Sequence, residues 1–140
     1  MERWVLYAIL SMLFAGVTSV FAKQGLANVS SELALTLRTV FVFGLVLLFG
    51  TFTVSREELG KLTGSHFFWL GLSAVTTTAS WIFYYKALQQ GEVSTVAIID
   101  KGSFIVAVVL AWLILGEQLT VRHGVAVFLI LLGLIIAAKR

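Results

Sequence analysis

Cysteine and proline are both missing from these 140 residues, and charged side chains make up only 12%. Without cysteine there is no disulfide framework, no thiol nucleophile and no thiolate metal site. Without proline, no helix carries the residue that most often breaks one. The shortage of charge excludes more. A soluble domain carries about 25% charged residues, and half that share cannot cover a surface. What fills the sequence is apolar: 59% of the residues are hydrophobic and the mean hydropathy is +1.00. Such a chain belongs in lipid. Its net charge of +3 does not indicate a nucleic-acid partner. The basic residues stand singly at segment ends, as interfacial anchors do, with no cluster to follow phosphates.

The apolar residues gather into five runs, each long enough to cross a bilayer, since about 20 residues at 1.5 Å rise span a hydrocarbon core of roughly 30 Å. They predict an all-α integral membrane protein, a single domain over 1–140, with helices near 3–22, 32–53, 66–87, 93–115 and 121–138. Val20-Phe21-Ala22 resembles a signal-peptide cleavage site. However, Glu2 and Arg3 cancel, and the run outlasts a typical apolar signal segment of about 7–15 residues. It reads as a retained helix. Ser30 or Ser31 suits the cap of the second helix, with Glu32 favourable in its first turn. Gly91 and Gly116 close the third and fourth. The longest connection, Thr53 to Ser65, is too short for a soluble domain, so any activity lies between helices.

With five spans the two ends of the chain fall on opposite sides. Arg3, Arg56, Lys61 and Arg122 then lie on the amino-terminal side, and Lys23, Lys86, Lys139 and Arg140 on the other. Four against four gives no positive-inside bias. Either something else sets the orientation or the chain inserts both ways.

Arg38, Asp100 and Lys101 fall inside two of the runs. A charge there costs about 2.5–3.5 kcal/mol or more, so each should face a partner or a wet cavity. Counted from Glu32 and Val93, Arg38 and Asp100 both lie roughly 9–10 Å deep, at one level. Asp100, Ser103, Ala107 and Ala111 share a face of small residues suited to close packing. Lys101, Ile105, Val108 and Trp112 share another. The spacing predicts a buried pair of Arg38 with Asp100 and leaves Lys101 to face the cavity. The plainer alternative is one satisfied pair plus a snorkelling lysine, with no ligand role.

The third helix carries a hydroxyl stripe of Ser73, Thr77, Ser80 and Tyr84, beside Trp81 and Tyr85. Hydroxyls and aromatics line a path for small polar or amphipathic solutes, so Lys101, Trp81, Tyr84, Ser80 and Thr77 are the candidate substrate-binding residues. Alternatively these residues simply let helices pack closely. Gly133 and Ala137 form a small-xxx-small pair in a run with no polar face, which suits lipid or a second subunit as dimer interface. His66 and His123, with no cysteine or carboxylate cluster near them, make no metal site. No nucleophile–base grouping or phosphate loop is present, so the sequence indicates neither an enzyme nor a cofactor.

Ala87-Leu88-Gln89-Gln90-Gly91-Glu92-Val93-Ser94, then Ile99-Asp100-Lys101, then Leu115-Gly116-Glu117-Gln118-Leu119-Thr120 and the run from Gly124 to Gly133 resemble the EamA domain of the drug/metabolite transporter superfamily. Phe83-Tyr84-Tyr85-Lys86-Ala87-Leu88 and Leu37-Arg38 resemble it too. Larger members carry two such five-helix units as an inverted repeat, and this chain is similar to the short, single-domain members. The resemblance implies one half of an inverted-repeat transporter fold in the cell (inner) membrane, completed by a second copy of itself or a paralogous subunit. It implies a small secondary transporter subunit for small metabolites, amino acids or drugs, active as a homodimer, parallel or antiparallel. The rival is an accessory membrane subunit that stabilises or regulates a partner transporter without transporting. Relatives often place a proline near Lys101 to Ser103. Its absence here predicts an unbroken fourth helix, with Gly102 permitting at most a local bend.

Overall fold

The computed structural model describes residues 2–138, and among the described residues it contains helices and connections but no strand. In chain order these are α1 (Arg3–Gly25), α2 (Ser31–Thr53), α3 (Arg56–Leu59), α4 (Gly64–Gln90), α5 (Val93–Asp100), α6 (Ser103–Leu115) and α7 (Val121–Ala138). Lys139 and Arg140, two of the basic residues counted above, lie outside the described residues. By length and composition α1, α2 and the stretch Val93–Leu115 can cross a membrane, and α7 is a shorter apolar helix. Helix α4, with 27 residues, reaches about 40 Å at 1.5 Å per residue, but Ser73, Thr76, Thr77, Thr78 and Ser80 dilute its apolar character. The long apolar side chains stand largely exposed, as lipid-facing ones must: Phe52 is 83% and Phe83 72% accessible.

Helix ends follow the expected chemistry. Ser30 caps α2, its side chain accepting from Leu33 N at 3.2 Å, with Glu32 in the first turn. Gly116 ends α6 in the left-handed region, φ 68°, which costs glycine nothing. The histidines also serve caps: Thr63 N and Thr120 N donate to His66 Nδ1 and His123 Nδ1 at 3.0 and 3.3 Å. The single turn α3 was not foreseen, although its signal is in the sequence. Ser55 and Glu58 form a capping box, each side chain bonded to the other's backbone N–H.

The chain divides into two compact units, residues 22–89 and residues 1–21 with 90–140. Within 22–89, the end of α4 is tied to the last turn of α1 and to the α1–α2 connection. Lys23 Nζ donates to the Leu88 carbonyl and Gln89 Nε2 to the Val29 carbonyl at 3.2 Å. Leu88, Tyr85 and Leu26 are the buried apolar side chains there.

In the other unit α5 packs on α7, and the expected unbroken helix over 93–115 must be corrected. It is interrupted at Lys101-Gly102. Lys101 N, Gly102 N, Phe104 N and Ile105 N bond to the carbonyls of Ile98, Ile99, Lys101 and Gly102, three residues back, at 2.9–3.1 Å. The chain thus tightens into 3₁₀ turns without a proline. Glycine is what permits it. A Cβ at Gly102 would meet Ile99 O at 3.0 Å and Leu134 Cδ1 at 3.2 Å. Gly102→Val should therefore force α5 and α7 apart at a cost of about 1–3 kcal/mol, read as a lower melting temperature in detergent. Adding Leu134→Ala should recover part of that loss; equal melting of Gly102→Val and the parent would show that the contact is slack.

Candidate functional site

Helices α2 and α4 bound a groove of about 440 Å³. The wall from α2 is Glu32, Leu35, Thr36, Thr39 and Val40, with Ser31 at its top, and the wall from α4 is Thr78, Trp81, Ile82 and Lys86. Both sets recur at three- and four-residue steps, which is what places them on single helix faces. At the upper end Lys86 Nζ lies 3.4 Å from Glu32 Oε1, and Ser31 Oγ donates to Glu32 Oε2 at 2.9 Å. The hydroxyls along the wall donate within their own helices: Thr36 to Glu32 O, Thr39 to Leu35 O and Thr78 to Ala74 O, each at 2.8 Å. With their protons engaged, these oxygens are left to accept.

Arg38 stands beside this groove. Its guanidinium carbon lies 4.4 Å from the centroid of the Trp81 ring, a cation–π contact, and Trp81 is also groove wall. Nη1 of Arg38 is buried and has no hydrogen-bond partner among the described residues. Tyr85, buried nearby, is close enough to feel the Arg38 charge, and the rings of Tyr84 and Tyr85 meet edge to face at 6.4 Å.

Of the residues expected to bind substrate, Trp81 is thus in the groove wall and Tyr84 is half-buried one turn further on. Thr77 and Ser80 lie exposed on α4, outside that wall. Lys101 belongs to the other unit, where its Nζ is 3.5 Å from Asp100 Oδ2 and 5.5 Å from the Phe104 ring. Arg38 and Asp100 fall in different units, and each has a contact inside its own. The small-residue face of the fourth run is not the covered one. In the first turns of α6 Ser103 and Ala107 are exposed whereas Ile105 and Val108 are half-buried; further on the order reverses, with Ala111 half-buried and Trp112 exposed. The 3₁₀ turns advance about 120° per residue rather than 100°, so α6 is rotated from the face that α5 alone would set. On α7, Gly133 is exposed with open space around it, and Ala137 is half-buried.

The α2 wall escaped the sequence reading. Glu32, Thr36 and Thr39 recur at steps of four and three beside Arg38, a polar stripe that the larger stripe of the third helix overshadowed. Lys86, counted as a loop anchor, closes that groove instead.

Over residues 2–138 the chain matches the EamA-like transporter family. It is 33% identical over 137 residues to an uncharacterized transporter in the cobO 3′ region of a Sinorhizobium species, covering 98% of this chain and 97% of that protein. No solved structure matches it. A helical, lipid-exposed chain with an aromatic and charged groove, matched from end to end, is a multi-pass membrane protein that belongs to the EamA-like transporter family.

Proposed function

We propose that the chain is a subunit of a small secondary transporter in the cell's inner membrane. It carries small metabolites, amino acids or drugs and works as a homodimer. The observation that supports this most is the α2–α4 groove, which combines an apolar wall, an aromatic ring and a few fixed charges. A volume of 440 Å³ falls within the range of about 300–1,000 Å³ typical of small-molecule sites. Thr77, Ser80 and Tyr84 continue the polar surface of α4, and Gly133 and Ala137 offer a close-packing face for a second copy. Lys101, held by Asp100 at the helix break, is the charge that changes partner as the cavity opens from side to side.

Reconstitution into proteoliposomes tests this reading. A panel of amino acids, organic acids and cationic drugs is offered with and without a proton gradient. Uptake of at least one compound is expected, with Trp81→Ala and Tyr84→Ala slower by about three- to tenfold, the worth of roughly 0.7–1.4 kcal/mol in a barrier. No uptake of any compound would favour an accessory subunit that serves a partner transporter.

A further inference from the structure

The unit of residues 22–89 carries one intramembrane charge whose donors are incompletely used. Glu32 and Lys86 neutralise each other at 3.4 Å, and Lys23 is bonded to the Leu88 carbonyl. Arg38 is different. The contact of its guanidinium carbon with the Trp81 ring, at 4.4 Å, supplies a π-face but no lone-pair acceptor for its N–H groups. One of those nitrogens, Nη1, is buried without an acceptor. A buried donor left unmade is costly, and the costliest kind is a charged one. At 1.5 Å per residue Arg38 lies about 10 Å along α2 from its first residue.

From this we propose that Arg38 holds the carboxylate of the solute, a small organic acid with an apolar body. The in-plane edge of a guanidinium matches a carboxylate with two parallel hydrogen bonds. Trp81 fixes the guanidinium from one side and forms the groove wall on the other. Leu35, Val40 and Ile82 supply the apolar surface on which the body of the acid packs. The threonine hydroxyls of the groove give their protons to carbonyls and Lys86 in its wall is paired with Glu32, so Arg38, beside the groove and in contact with its Trp81 wall, is the cation with a donor left to tell an acid from its amide. The assignment rests on the transport reading only in taking the bound acid to be the carried solute.

The test uses the intact chain in phospholipid-free detergent, modified with phenylglyoxal and mapped by peptide mass. Phenylacetate should slow modification of Arg38 by about tenfold, the scale of one charge-assisted hydrogen bond, while phenylacetamide leaves it unchanged. Arg3, Arg56 and Arg122 should respond to neither. Equal protection by both compounds, or by neither, overturns the proposal. So does protection by phosphatidylglycerol to which phenylacetate adds nothing, because the occupant is then a lipid headgroup. In equilibrium dialysis with labelled phenylacetate, Arg38→Lys should bind about tenfold more weakly, since it keeps the charge but loses the stacked face and paired edge. Unchanged affinity rejects the site. If Arg38→Leu combined with Asp100→Leu regains detergent stability that each change alone loses, the missing acceptor is Asp100 and the solute assignment fails. Transport is scored separately. Carboxylate protection at Arg38 without uptake by proteoliposomes overturns the transport reading and leaves the anion site standing, whereas uptake of other compounds without protection does the reverse.

Discussion

Lys101→Met should yield a folded protein that has lost most of its transport, by about tenfold or more, with Asp100→Asn less impaired. Asp100 and Lys101 meet at 3.5 Å where two helices are joined by 3₁₀ turns. Neighbouring residues of opposite charge at a helix break can separate without unwinding a helix, because the i→i−3 bonds there are already the weaker kind. Removing the lysine side chain leaves the backbone hydrogen bonds at the break in place, so the fold should survive. What is lost is the cation that, on the proposed mechanism, re-pairs when the cavity changes sides. A tenfold change corresponds to about 1.4 kcal/mol in the barrier, less than a charge-assisted hydrogen bond is commonly worth. The measurement is initial uptake in proteoliposomes of whichever compound the parent carries, with elution volume and helical circular dichroism as controls for folding. Full uptake by Lys101→Met would remove this residue from the mechanism.

The contrast between Lys101 and Arg38 shows what could be read from the sequence. Helix type and the approximate ends of the long segments followed from apolar runs and caps, because those signals are local: Ser30 and Gly116 act within one turn. Partner choice is not a local signal. Whether Arg38 meets Asp100 or Trp81 depends on how helices rotate about their axes, and rotation is set by contacts among residues far apart in sequence. The same holds for the break at Gly102. The missing proline pointed away from it, whereas the decisive feature was the space that a hydrogen in place of a Cβ leaves for Leu134. The α2 wall of the groove was visible as Glu32, Thr36 and Thr39, yet it became a site only opposite Trp81 and Lys86.

A thiol placed in the α3 loop should be reached from both sides of the membrane in comparable amounts. The native chain contains no cysteine, so Glu57→Cys introduces a single label in an exposed segment. Orientation is set by lysines and arginines near the membrane rather than by acids, so losing Glu57 leaves the balance of four against four untouched. With no bias, a chain with the five spans expected from its apolar runs has no electrostatic reason to prefer either orientation. A membrane-impermeant maleimide added to intact cells should modify about half of the protein that is modified after permeabilisation. Two further lysines at Arg56 should draw that loop inward and reduce outside labelling to a small residue. The result decides the form of the proposed dimer. Two copies in opposite orientations would place their α2–α4 grooves on opposite sides of the bilayer, as an inverted repeat does within one longer chain. If the unmodified loop is labelled from one side only, the antiparallel homodimer is excluded, and a parallel dimer or a partner chain must complete the cavity.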